Sequence, residues 1–412
     1  MSLPLIGVRV VDVAEHGFVP SAGAALAEFG ADVIKVERLD HDPCRSIIAS
    51  GMVASKDGLD FLFEIFNRNK RGIALDLTTD AGHAVLGKLV ASADVFITNQ
   101  LPQVQRKLRT TADDIFAMNP KIIYGRGHGQ GQRGPDTELG GFDSVSYWCR
   151  GGLGHVLSSP GATSPPMQRP ATGDLPSGAF LVSGICAALV RAARTGEGGI
   201  VDASLLNSAT WTLGPDLAYT SLTGEQLPQG HEGRSPLTLT YGTADDYFVM
   251  LMMINEDRYW QAATEALGLA DLGRKYAERG ARRQARAELA EAFTAAIAAM
   301  TKADVRARMG ERNCIFAFFA TPLEVLNDPA TVANGYVMQH PEHESLKIAA
   351  APVQFDNQFP QIVRAAPRLG EHTEQILADI GYSAAEIADL LAAGTVLGDQ
   401  GVPSAANSAK PS

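Results

Sequence analysis

Cysteine is scarce in this sequence, which has four among 412 residues. Cys44, Cys149, Cys186 and Cys314 lie far apart and form neither a CxxC pair nor a Cys/His pair with metal-ligand spacing. We therefore expect reduced, mostly buried thiols and no bound metal. The first residues also lack the basic start and apolar core of a signal peptide, which predicts a cytoplasmic protein.

Long uninterrupted apolar runs are also missing. The longest, residues 179–190, contains Ser183 and Gly184 and is shorter than the roughly 20 residues that span a bilayer. It predicts a buried helix, and we expect no membrane partner.

Basic residues are outnumbered by acidic ones, 35 to 46, which gives a formal net charge of −11. Nucleic-acid binding requires a broad basic surface, so we expect no nucleic-acid partner. A few clustered cations could still bind an anionic small ligand in a cleft.

What the sequence does contain is the pattern of an α/β protein. Hydrophobic residues make up 45% and charged residues 20%, as in globular proteins, and the length exceeds that of one usual core. Short β-rich runs alternate with amphipathic segments through residue 125, which predicts a Rossmann-like domain with a parallel sheet. The predicted strands are 7–13, 31–37, 71–77, 93–98 and 121–124, and the predicted helices are 21–29 and 80–92.

The later sequence predicts a second, smaller domain. Residues 1–221 form the first part of the large domain, and 222–330 form a small α+β domain with its linkers. Residues 331–399 then return to pack on the large domain, and 400–412 form a disordered tail. The predicted elements of these later parts are a hairpin at 238–252 and helices at 257–267, 279–300 and 373–393.

Asp174 stands between a Gly- and Pro-rich loop region and a long apolar helix predicted over 175–194. Aspartate is favoured at a helix N-cap, so it could serve only to satisfy free backbone N–H groups. Alternatively, the positive end of the helix dipole would hold this carboxylate ionised and ready to attack a carbonyl carbon. The small residues Gly173, Ser177 and Gly178 would leave room for a substrate. The residues alone leave both interpretations open.

The segment GDLPSGAFLVSGICAALVRAARTGEGGIVDASLLNSA, which contains Asp174, resembles the catalytic segment of class III (CaiB/BaiF-type) CoA transferases. Further similar segments follow the same order along nearly the whole chain: GVRVVDVAEHGFVPSAGAALAEFGADVIKVER, FNRNKRGIALDL, ADVFITN, NPKIIYGRGHGQGQRGP and APRLGEHTEQIL. The resemblance implies that coenzyme A passes from an acyl thioester to a carboxylic acid through an anhydride and a thioester of Asp174. It also implies an interlocked homodimer.

The resemblance further implies a set of CoA-binding residues. Four cations in this set would make charge-assisted contacts with phosphates. The set is Glu15, His16, Gly17, Phe18, Arg38, Asn67, Lys70, Asn99, Arg106, Arg126 and His128.

Some positions depart from the family pattern. Related racemases carry a histidine in a GHD motif where this chain has Phe142, and phenylalanine cannot accept a proton. The glycine-rich lid of formyl-CoA transferase has no counterpart, so formate and oxalate are not expected substrates. Residues 313–320, NCIFAFFA, replace another motif and could either wall an acyl pocket or pack in the core.

Three other functions remain as alternatives. One is an α-methylacyl-CoA racemase-like activity, which Phe142 disfavours. Another is a non-catalytic CoA-binding protein. The third is a nucleotide-dependent oxidoreductase with Glu37 as its ribose-binding acid, but the first loop, AEHGFVP, has no GxGxxG sequence.

Overall fold

The computed structural model of the chain describes residues 3–56, 59–159, 161–228 and 233–400. Its contacts divide it into two compact units, a large one from Met1–Gln226 and Val332–Ser412 and a small one from Leu227–Thr331. The sequence placed these divisions after residues 221 and 330. Apart from Gln400, the tail predicted to be disordered lies outside the described residues.

The described strands form three sheets. The sheet of the large unit has the strand order β12-β3-β2-β1-β4-β5-β6, and every neighbouring pair in it is parallel except β12 with β3. The strands are β1 (Arg9–Val13), β2 (Asp32–Glu37), β3 (Arg71–Leu75), β4 (Val95–Thr98), β5 (Ile123–His128), β6 (Gly199–Ser204), β7 (Thr240–Gly242), β8 (Phe248–Leu251), β9 (Phe316–Phe318), β10 (Val337–Gln339), β11 (Lys347–Ala349) and β12 (Val396–Leu397).

Helices connect and cover these strands, with one π-helical turn at Ser144–Cys149 and one 3₁₀ turn at Pro236–Thr238. The helices are α1 (Phe18–Glu28), α2 (Arg45–Ala49), α3 (Phe61–Asn67), α4 (Asp80–Ala91), α5 (Pro102–Leu108), α6 (Ala112–Met118), α7 (Leu153–Val156), α8 (Asp174–Thr195), α9 (Leu205–Thr212), α10 (Gly214–Thr223), α11 (Glu256–Ala266), α12 (Ala270–Lys275), α13 (Arg279–Gln284), α14 (Arg286–Ala298), α15 (Lys302–Glu311), α16 (Pro322–Leu326), α17 (Pro329–Ala333), α18 (Thr373–Asp379) and α19 (Ala384–Ala392).

Both faces of the large sheet are buried. Successive side chains of a strand point to opposite faces, so Val10 joins a core with α1 and α8 while Val11 joins a second core with α4 and α18. Parallel sheets need this cover on both sides, which explains why the strands read as nearly continuous apolar runs. The predicted α/β class with a mostly parallel sheet is confirmed.

Helix α8 buries one stripe rather than its whole surface. Gly178, Leu181 and Ile185 lie on the buried stripe, and Gly178 lets α8 approach Ser21 of α1 closely. Phe180 and Val190 are exposed. The prediction of a buried helix is therefore correct for one face only. Among the described residues α8 is also long and apolar enough to cross a membrane, a test that core helices of soluble proteins pass as well.

The small unit has its own core. The antiparallel sheet β7-β8-β9 packs with α11, α14 and α15 around Trp260, Phe293 and Met309. In the predicted hairpin, Asp246 has φ 62° in the turn between β7 and β8. In the NCIFAFFA segment, Phe316 and Phe318 pack partly on this core while Ile315 and Phe319 are exposed.

Two helices predicted as continuous are interrupted. The segment 279–300 divides into α13 and α14 at Ala285, and 373–393 divides into α18 and α19. In the second case Gly381 has φ 86° and the Ser383 hydroxyl accepts a hydrogen bond from the Glu386 N–H, which begins a new helix.

Candidate active site

A cavity of about 680 Å³ opens at the carboxyl ends of the strands of the large sheet. The segments that follow β1, β2, β4 and β5 contribute to its wall. Strand order reverses between β1 and β4, and open α/β sheets bind their ligands at such a crevice. The volume falls within the usual range for small-molecule and cofactor sites, about 300–1,000 Å³.

Asp174 lines this cavity as the first residue of α8 and is half-buried. Its carboxylate lies directly against Gly17, where a β-carbon would overlap Oδ2 and come within 3.1 Å of Cγ. Gly17 therefore has to be a glycine for the first loop to approach the carboxylate. Within the described ranges, no side chain or backbone N–H donates a hydrogen bond to the Asp174 carboxylate.

A second carboxylate, that of Asp143, fixes the start of α8. Its Oδ2 accepts hydrogen bonds from the Gly173 N–H at 3.2 Å and from Gln168 Nε2 at 2.8 Å. Gly173 also permits a close approach, because a β-carbon there would lie 2.6 Å from Tyr147 and 2.9 Å from Asp143 Cβ. The sequence analysis did not single out Asp143, although it directly follows Phe142.

Burial and the negative charge of Asp143 raise the pKa of Asp174 from 3.8 to about 8. This shift opposes the ionised form that the helix terminus was expected to favour. Asp174 lies in the first turn of α8, where the helix dipole favours the ionised form, but burial and the charge of Asp143 outweigh that contribution. The interpretation of Asp174 as a simple structural cap is also unsupported, because its side chain makes no capping hydrogen bond.

The first loop is fixed by Asn99. Its Oδ1 accepts from the Glu15 N–H at 3.0 Å and its Nδ2 donates to the Glu15 carbonyl at 2.7 Å. His16 has φ 64°, and its N–H donates to Asp42 Oδ1 at 3.1 Å. Burial, with the Asp42 charge, raises the pKa of Glu15, and burial lowers the pKa of His16. These predicted residues lie in the cavity wall, as does the buried Phe18.

Phe142 also lines the cavity and is 59% exposed. Its ring meets the His16 ring edge to face, with centroids 5.2 Å apart and an interplanar angle of 86°. Phe142 therefore contributes directly to the cavity wall.

Three cations line the cavity, and two are already paired. Lys35 is buried and donates to Asp42 Oδ2 at 2.7 Å and to the Ala14 carbonyl at 2.9 Å. Arg38, one of the predicted residues, bonds Asp40 at 2.6 Å. Lys107, on α5, has no ion-pair partner in the described part of the chain. Arg106, not Lys107, was predicted from the sequence to bind CoA. The sequence could not show which of the two faces the cavity, because the orientation of α5 depends on the tertiary fold.

Asn67 and Lys70 lie away from the cavity lining. Lys70 is fully buried, and its ammonium group donates to Asp12 at 2.7 Å, to Asn67 Oδ1 at 2.8 Å and to the Pro20 carbonyl at 2.9 Å. All three of its hydrogens are engaged, so neither side chain is available to a phosphate group. Both lie in the polar part of the core, contrary to the CoA contact predicted for Asn67 and the phosphate contact predicted for Lys70.

Two predicted arginines are also outside the lining and bound to carboxylates. Arg106 is exposed and pairs with Glu138 at 2.9 Å, while Arg126 on β5 pairs with Asp202 on β6. His128 does line the cavity, but both its ring nitrogens are engaged. Nδ1 accepts from the Gly131 N–H at 2.9 Å, and Nε2 lies 2.8 Å from the Thr137 carbonyl. It holds the following loop in place.

Neither a dinucleotide site nor a metal site is supported. Glu37, the alternative ribose-binding acid, pairs with Arg45 at 2.7 Å and accepts from the Asp42 N–H at 2.8 Å. Among the residues that the structure describes, no group of three or more His, Cys, Asp or Glu side chains could hold a metal ion.

Comparison with known proteins identifies the class. Residues 5–373 match the model of CoA-transferase family III, and the chain belongs to this family. The predictions of the family and of CoA-transferase activity are confirmed.

Relatives align over nearly their full length. The chain is 29% identical over 392 residues to cinnamoyl-CoA:phenyllactate CoA-transferase of Clostridium sporogenes, covering 93% of this chain and 95% of the relative. It is 27% identical to (R)-2-hydroxy-4-methylpentanoate CoA-transferase of Clostridioides difficile, with 93% and 97% covered. The crystal structure of a CaiB/BaiF family protein from Brucella suis is similar with a TM-score of 0.79 at 26% identity, covering 92% of this chain and 100% of that one.

Proposed function

We propose that this chain transfers coenzyme A from an acyl-CoA to a carboxylic acid, with Asp174 as the nucleophile. The observation that carries the proposal is the position of the Asp174 carboxylate, in the cavity wall and free of hydrogen bonds from the described residues. Carboxylate substrates are supported by the relatives, whose names include phenyllactate and 2-hydroxy-4-methylpentanoate.

The reaction exchanges carboxylates through the Asp174 side chain. A carboxylate oxygen attacks the thioester carbon, the C–S bond breaks, and CoA leaves as a thiolate from a mixed anhydride. The thiolate then attacks Cγ of Asp174, which expels the donor carboxylate and forms an aspartyl-CoA thioester. The acceptor carboxylate attacks Cγ and expels the thiolate again. Attack of that thiolate on the acceptor acyl carbon yields the product and restores Asp174, with no net proton transfer.

The raised pKa of Asp174 adds a requirement to this reaction. Only the ionised carboxylate can attack, and with a pKa of about 8 a minority of sites are ionised at pH 7. The same surroundings leave the ionised form poorly solvated, which makes it a stronger nucleophile than an aqueous carboxylate. Activity in the free enzyme should therefore rise with pH until Asp174 is ionised.

The start of α1 offers donors for the developing oxyanion. Gly17 is the N-cap and Phe18 the first residue of that helix, so their N–H groups have no intrahelical acceptor. They also make no other hydrogen bond within the described residues. Since Gly17 lies against the carboxylate of Asp174, these N–H groups are our candidates for an oxyanion site.

For coenzyme A itself we propose the lining residues as contacts and Lys107 as the main phosphate partner. Lys107 is a lining cation without a carboxylate partner among the described residues, so its charge is available to a phosphate. The other proposed contacts, taken from the lining, are Glu15, His16, Gly17, Phe18, Arg38, Asn99 and His128.

The decisive experiment compares wild type with Asp174→Ala. We expect the variant to lose exchange of labelled CoA between two acids while retaining its fold and CoA affinity. Hydroxylamine added during wild-type turnover should convert Asp174 to a hydroxamate, detectable by peptide mass spectrometry. Asp80→Ala is the matched control, because Asp80 is also the first residue of a helix but is exposed. Normal exchange by Asp174→Ala would contradict the proposal.

The racemase alternative has a separate test. Phe142 stands where a racemase has its histidine, and its ring has no atom that could accept a proton. We expect no deuterium incorporation at the α-carbon of a 2-methylacyl-CoA in D₂O. Incorporation at a rate similar to CoA exchange would favour the racemase. CoA binding without exchange or incorporation would favour a non-catalytic protein.

We also propose that the chain acts as a homodimer. Large apolar side chains are exposed on the large unit, including Phe180, Val190, Trp211 and Leu222. A monomer would leave this surface in contact with water. Light scattering after size exclusion should give twice the mass of the 412-residue chain, and a monomeric mass would contradict the proposal.

A further inference from the structure

Two aromatic rings line the cavity that also holds Asp174, and neither has yet been given a part in selecting the acid. His16 and Phe142 both line the cavity and contact each other edge to face. Each is one residue from a group next to Asp174. Gly17 touches its carboxylate, and Asp143 binds the backbone at the start of its helix.

The backbone that carries the His16 ring is restrained. The residue has a positive φ, which side chains other than glycine rarely adopt, and the hydrogen bond to Asp42 helps to stabilise this conformation. Asn99 binds both backbone groups of the preceding Glu15. A ring on a restrained backbone and in contact with a second ring can discriminate between substrates, since less ordering is needed when a ligand binds.

Phe142 provides an apolar surface that a ligand could cover. Its side chain is 59% exposed within the cavity wall. Covering such a ring with an apolar group is favourable because it removes both surfaces from water.

The charges beside the rings disfavour a second carboxylate on the substrate. The charged neighbours of the rings in sequence, Glu15 and Asp143, are both acidic. Of the lining cations, Lys35 and Arg38 are already paired with Asp42 and Asp40. With Lys107 assigned to a phosphate of CoA, a substrate carboxylate that does not react would have no unpaired lining cation to bind and would lie in a cavity that also contains Glu15.

From this arrangement we propose that His16 and Phe142 form the wall of the acyl subsite and select monocarboxylic acids with a bulky apolar side chain. Small acids would leave the rings uncovered, and dicarboxylic acids would meet repulsion. The proposal rests on the proposed transferase function and adds the class of acid that the enzyme takes.

The test measures kcat/KM with butanoyl-CoA as the common donor and four acceptors: 4-methylpentanoate, 3-phenylpropanoate, acetate and succinate. Wild type should prefer the two bulky acids over acetate and succinate by about tenfold or more. Phe142→Ala should reduce this preference about tenfold, while Phe142→Leu should retain most of it. His16→Asn should also reduce it, because asparagine tolerates a positive φ but has no ring.

Leu139→Ala is the matched control, since Leu139 is a similarly exposed apolar residue of the same loop but does not line the cavity. It should keep the wild-type preference. Circular dichroism and thermal melting would verify that each variant is folded.

Equal preference for all four acids in wild type, or a preference for succinate, would overturn the inference, as would an unchanged preference in Phe142→Ala. In those cases CoA transfer still occurs and the proposed function stands. Failure of the proposed function is distinguishable, because wild type would then transfer CoA to none of the acids and Asp174 would not react with hydroxylamine.

Discussion

Replacement of Asp174 by asparagine should abolish CoA transfer and also make the protein more stable at neutral pH. Asparagine has nearly the same shape but cannot ionise, so the substitution removes the charge without opening a cavity. A surface aspartate would not show this combination. It follows from a nucleophile kept in surroundings that oppose its charged form.

The size of the effect follows from the pKa. The pKa of Asp174 is raised from 3.8 to about 8, so the folded protein opposes ionisation that the unfolded chain permits. Each pKa unit corresponds to about 1.4 kcal/mol, which sets an upper limit of roughly 5–6 kcal/mol. Because Asp174 is half-buried and water can reach it, we expect a gain of about 1–3 kcal/mol.

The pH dependence has a defined sign. Below about pH 4 the carboxyl is protonated in both states, and wild type and variant should be equally stable. As the pH rises from about 4 to about 8, the unfolded wild type ionises before the folded protein does, so wild type becomes less stable than the variant. Above about pH 8 the difference should remain constant.

Urea unfolding of both proteins across this pH range would measure the difference. The control is Asp80→Asn, which changes an exposed aspartate at the first position of α4 and should give a small, nearly constant loss. CoA exchange should fall at least about a thousandfold in Asp174→Asn. A variant that is less stable than wild type at every pH, or that retains normal exchange, would refute the reasoning.

Three further predictions concern the same cavity. Lys107→Gln should raise the KM for acyl-CoA about tenfold with little change in kcat, whereas Arg106→Gln should change neither, as steady-state kinetics would show. Gly17→Ala should reduce kcat at least tenfold, because its methyl group would displace the carboxylate of Asp174, and a crystal structure would reveal that displacement. Asp143→Asn removes a charge that raises the pKa of Asp174, so the rise of kcat/KM with pH should move to lower pH; an unmoved profile would contradict this.

The sequence alone determined the class of the fold and offered Asp174 as a candidate site residue. Alternating apolar runs predicted the strands, because each strand of a parallel sheet is buried on both faces and reads as a short apolar segment. Asp174 stood out because the change from a glycine-rich loop to an apolar helix is a local signal, although that signal fits a helix cap as well as a nucleophile. Resemblance to a family then supplied the reaction.

Only the tertiary structure decided which charges face the cavity. Lys70 and Arg126 are basic residues just outside predicted strands, yet Lys70 is fully buried against Asp12 and Arg126 pairs with Asp202 on the neighbouring strand. Their partners are distant in sequence, so no local pattern reveals the pairing. The raised pKa of Asp174 has the same origin, because burial and the charge of Asp143 depend on how loops from different strands meet around the start of α8.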